Sequence, residues 1–129
     1  MNQEEMLKLY VEKRLEYEEK IQGNLEEIED SVKDLAQVGD YFSVKNDDLL
    51  ITIKAIELDG EKHIAVYTDK NSKEIPFCQL TLTEHPDLIL WIIQNDTLIR
   101  EGFKEVLINA VRNGENIINT LKALKVNYE

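Results

Sequence analysis

Residues 49–68, LLITIKAIELDGEKHIAVYT, decide the fold. The first half is rich in β-branched residues (Ile51, Thr52, Ile53, Ile56), which favour a pleated, half-buried surface. Asp59-Gly60 follows directly, and a second apolar run begins at about Lys62. Asp-Gly between two such runs marks a tight hairpin, because both central residues of the favoured two-residue turn need positive φ. The stretch therefore predicts strands over 49–58 and 62–68 and an antiparallel sheet built on them.

Two more strands are expected around this hairpin. Tyr41 to Val44 is a short candidate after Gly39-Asp40. Beyond the polar turn DKNSKE, a strand is predicted over Ile75 to Leu82, starting beside Pro76. Thr83 to Pro86 reads as a helix entry, since proline is tolerated in the first turn and Asp87 suits the helix N-terminus. That predicts a covering helix near 86–94, although the apolar run Leu88 to Ile93 also fits a buried strand. Asn95-Asp96-Thr97 begins a short following helix that stops near Gly102. Glu105 to Asn109 is a last strand or part of that helix, and Arg112-Asn113-Gly114 reads as a turn. A final covering helix is expected near 115–126, with Ile117, Ile118, Leu121 and Leu124 on one side.

Upstream of the sheet, residues 3–37 read as a long amphipathic helical segment. With Arg14 admitted, Leu7, Tyr10, Tyr17, Ile21, Leu25, Ile28, Val32 and Leu35 follow one another in steps of three and four, the spacing of one helical face. Leu9, Val11 and Leu15 widen the stripe. Gly23-Asn24, with Glu27 at capping-box spacing, leaves one helix or two open. The element order defines an α+β class and one domain over 1–129. A stripe of about four heptads needs a cover: the body of the chain, a second copy, or a partner polypeptide. Its eight apolar positions are the candidate protein-interaction residues, and a homodimer is the self-associating form of that expectation.

Charge narrows the partners. The chain carries 26 acidic and 15 basic residues, net −11, and residues 1–40 alone carry −7. Such a field repels nucleic acid and anionic membrane surfaces, and no basic stripe interrupts it. No apolar run approaches membrane-spanning length, and the N-terminus lacks an export pattern. With a single cysteine, these features predict a cytoplasmic protein.

Chemistry finds little support. His63 and His85 stand 22 residues apart without metal-ligand spacing, and both are expected on open surface. Cys78 is expected as a small core residue. Asp47-Asp48, Glu57-Asp59 and Glu84/Asp87 match no cation loop and read as turn or solvated charge. The five glycines form no phosphate loop, and no nucleophile elbow is present. No catalytic, cofactor-binding or metal-binding residue is therefore assigned, and a non-enzymatic role is expected. An enzyme with an unrecognised site is the competing expectation, since such sites assemble in space.

Two stretches, LDGEKHIAVYTDKNSKE (58–74) and FKEVLINAVRNGENIINTLKAL (103–124), resemble the N-terminal domain of the serine-sensitivity-enhancing (SseB) proteins. Val66-Tyr67-Thr68-Asp69 stands for that family's aromatic-Thr strand end, with Tyr67 in place of Phe. Leu107-Ile108-Asn109-Ala110 stands for its apolar-apolar-Asn-Pro strand end, with Ala110 in place of Pro. The resemblance implies an intracellular α+β domain and brings no catalytic residues. In size, charge and element order the chain is also similar to class I type III secretion chaperones. That likeness implies a homodimer that binds an extended segment of another polypeptide.

Overall fold

A computed structural model describes the backbone of residues 2–128 and the side chains of residues 2–125. Helix α1 spans Gln3–Lys33 without a break. Asn2 caps it, its side-chain oxygen accepting from the Glu5 amide at 2.9 Å. Gly23 does not end the helix, so the open choice resolves to one helix about 46 Å long. At the other end Lys62 Nζ donates to the carbonyls of Lys33 and Ala36, at 3.1 and 2.7 Å. The Lys33 carbonyl is a helix-end group that no helical partner satisfies, and a cation is the favoured donor there.

The sheet is an antiparallel meander in the order β1-β2-β3-β4. Strand β1 is Tyr41–Asn46, β2 is Leu49–Leu58, β3 is Glu61–Thr68, and β4 is only Ile75–Pro76. The 49–58/62–68 hairpin is present as read. Asp59 and Gly60 have φ of +53° and +80°, the two left-handed residues that its tight turn requires. Asp47-Asp48 makes the turn before it. The strand expected over 75–82 is corrected. After Pro76 the chain enters a short 3-10 turn, Phe77–Gln79, and Ile75, Pro76 and Phe77 are buried in succession, which no alternating strand can do.

Helix α2, Pro86–Gln94, settles the 88–93 run as helix. Helix α3 then runs unbroken from Asp96 to Tyr128. This settles the open choice at Glu105–Asn109 as helix and corrects three expectations: the helix does not stop near Gly102, 112–114 is not a turn, and residues 115–125 do not cover the sheet. The strand end that the SseB resemblance implies at Leu107–Ala110 is mid-helix.

One sheet face is apolar. Ile51, Ile53 and Ala55 pair with Thr68, Val66 and Ile64, and Phe42 and Val44 of β1 stand opposite Ile53 and Ile51. Leu25, Ile28 and Val32 of α1, Ile89 and Ile92 of α2, and Ile99 and Phe103 of α3 join these strands in one core. The Phe42 and Phe103 rings meet edge to face at 5.1 Å. The core thus uses the second half of α1 and the first two turns of α3. The remaining turns of both helices run on as arms.

Candidate functional site

The arms are the feature to explain. Of the eight predicted interaction residues, Leu25, Ile28 and Val32 are buried in the core, Ile21 and Leu35 are half-buried, and only Leu7, Tyr10 and Tyr17 are exposed. The predicted stripe is one face, yet it serves two environments. Its C-terminal part completes the body. Its N-terminal part leaves the body near Arg14, whose Nη2 donates to Thr83 Oγ1 at 2.6 Å. Met6, Leu9, Val11 and Leu15 widen the exposed patch around Leu7 and Tyr10.

Helix α3 repeats this design. Eighteen residues make about five turns, so Ile117 lies on the face of Ile99, and Leu121 on the face of Phe103. Phe103 is 1% exposed and Leu121 is 59% exposed. Ile108, Val111, Ile117, Ile118 and Leu124 are exposed on the same arm. The sequence carried this signal in the step from Ile99 to Ile117, but reading a turn at Gly114 hid the continuity.

A soluble monomer seldom bares a contiguous apolar area this long, and such patches mark interaction sites. Scattered exposed aliphatics would need no explanation. Leu7, Tyr10, Tyr17, Ile117 and Leu121 are not scattered, because they continue the buried stripes in phase, whereas Leu9 and Ile108 lie on other faces.

The body offers smaller concavities. One of about 280 Å³ lies between the sheet end and α2, with Leu49, Tyr67, His85 and Trp91 in its lining. Another of about 360 Å³ holds Glu29, His63 and Cys78 beside α1. Both histidines were expected on open surface, and both are instead partly buried. His63 Nδ1 lies 2.9 Å from Oε1 of the buried Glu29, a contact across 34 residues of sequence. Cys78 is exposed rather than in the core. Partial burial and the nearby Glu29 carboxylate push its thiol up from the ordinary range, opposite to what an activated nucleophile needs. Among the described residues, no group of three His, Cys, Asp or Glu side chains converges as a metal site. No helix among them is long and apolar enough to cross a membrane.

Compared with known proteins, the chain matches no family model, no curated protein and no solved structure.

Proposed function

We propose that this is a non-enzymatic protein-interaction domain that works in the cytoplasm and binds a polypeptide through its helical arms. One observation carries the reading: the face of α1 that buries Leu25, Ile28 and Val32 continues through Leu7, Tyr10 and Tyr17 in the open. A tyrosine pair on one face supplies large, rigid contact area at low entropic cost, as interface anchors do. The net charge of −11 disfavours nucleic acid and anionic lipid as the occupant, leaving protein. The likeness to type III secretion chaperones in size, charge and element order points to the same class of role, and the SseB resemblance brings no catalytic group.

A photo-reactive residue placed at position 10 or 17 of the full chain tests this in an extract of the source cell. Discrete adducts with polypeptide are expected there. The same probe at Glu12 or Glu19, on the wet face, is expected to give none. Equal labelling at all four positions contradicts the reading.

A further inference from the structure

We infer that the occupant of the arms is a second copy of this chain, with the α1 arm of each molecule lying antiparallel on the α3 arm of the other. The inference rests on the interaction reading above and names its partner.

Spacing is the first argument. Along α1 the seam outside the core runs 7, 10, 14, 17, 21, in steps of three, four, three and four, with Arg14 its one charged member, and Leu25 beyond it is buried in the chain's own core. Along α3, read backwards, the seam runs 124, 121, 117, 114, 110, in the same steps. Antiparallel alignment keeps these positions in step along both arms. Leu7 then faces Leu124 and Tyr10 faces Leu121.

Size is the second argument. The same register sets Tyr17 opposite Gly114 and Ile21 opposite Ala110. A large residue facing a small one is what interdigitating helices require. Gly114 has nothing within 4 Å of where a Cβ would sit, so the space opposite it is free in the single chain.

Charge is the third. Residues 3–20 carry six acids and four bases, net −2. Residues 104–125 carry two acids and four bases, net +2, in a chain whose total is −11. Pairing α1 with α1 or α3 with α3 sets like charge on like charge, and parallel in-register α1 helices would also face Arg14 with Arg14. Only the mixed pairing is complementary. Within one molecule Leu7, Tyr10, Leu121 and Leu124 are all exposed, so neither arm's apolar face is covered there. Twofold symmetry satisfies both arms of both copies at once.

The test combines mass and register in the full chain with Cys78→Ser. Light scattering at about 100 µM should give twice 15.0 kDa. Tyr10→Cys in one molecule and Leu121→Cys in another should form a mixed disulfide on mild oxidation, whereas Tyr10→Cys with Ile108→Cys should not. Leu121→Glu should abolish the dimer and leave thermal unfolding of the body in place. A dimer that forms no Tyr10→Cys/Leu121→Cys link overturns the arm pairing. So does a Tyr10→Cys/Leu121→Cys double variant that links only within single chains. A monomer whose arm amides remain protected as helix overturns the second copy while leaving a different polypeptide as occupant. A monomer whose arm amides exchange as coil overturns both this inference and the interaction reading.

Discussion

Leu7 and Leu25 lie at the same angle on α1, about five turns apart, and one is 63% exposed while the other is wholly buried. The amphipathic pattern is the same at both. What differs is whether the sheet reaches that far. A helix of this length gains most of its stability from what its apolar face touches rather than from propensity. On the proposed reading, the outer turns of α1 and α3 draw that contact from outside the single chain.

The two leucines should respond differently to truncation. Leu25→Ala should destabilise the protein by about 2–5 kcal/mol through cavity formation. Leu7→Ala should change the stability of the monomeric body by less than about 0.5 kcal/mol. Urea unfolding at low protein concentration checks both, and a large loss from Leu7→Ala contradicts a bare arm.

Two helical glycines should give opposite signs. A Cβ at Gly102 would sit 2.5 Å from Phe42 Cζ, against a ring wedged on Phe103. Gly102→Ala should cost about 1–3 kcal/mol, the usual range for overpacking. At Gly23 a Cβ meets nothing within 4 Å. Gly23→Ala should stabilise by about 0.5–1 kcal/mol, because it removes backbone freedom from the unfolded chain. Thermal melts of the two variants decide it, and a stabilised Gly102→Ala would mean that Phe42 does not pack there.

How far the sequence reveals this fold can be read from particular residues. Asp59-Gly60 was decisive because positive φ at two adjacent positions has few solutions. Pro86 and Asp87 marked the start of α2 for a similarly local reason. Phe77 and Leu80 were misassigned to a strand, because burial by a 3-10 turn mimics apolar spacing over so short a span. Gly102 and Gly114 read locally as ends of elements, and both lie inside α3. At Gly102 the Phe42 ring explains the glycine, and only tertiary structure shows it. The interaction stripe was legible as a face, but its division into a buried part and a bare part depends on where the sheet stops. The Glu29–His63 contact had no local signature, since 34 residues separate the partners.

That contact should be measurable as a coupling. His63→Ala leaves the buried Glu29 carboxylate with Lys33 Nζ at 4.0 Å as its nearest cation, and should cost about 1–3 kcal/mol. Adding Glu29→Ala should recover part of that loss, because the stranded carboxylate is gone. Strict additivity in the double-mutant cycle would show that the two groups do not interact.

Cys78 should alkylate slowly for an exposed thiol. Burial and Glu29 raise its pKa, so at neutral pH less thiolate is present than in the unfolded chain. The pH midpoint of iodoacetamide labelling should lie higher in native protein than in urea. A lower native midpoint would contradict this environment and reopen a nucleophilic role.

Amide exchange along the full chain at two concentrations is the most direct test of the bare arms. At about 1 µM, amides of residues 6–18 and 106–124 should exchange much faster than those of residues 25–32 and 51–56. At about 100 µM the arm amides should slow by roughly tenfold or more while the core amides stay unchanged. Arm exchange that ignores concentration would contradict a face that a second copy covers.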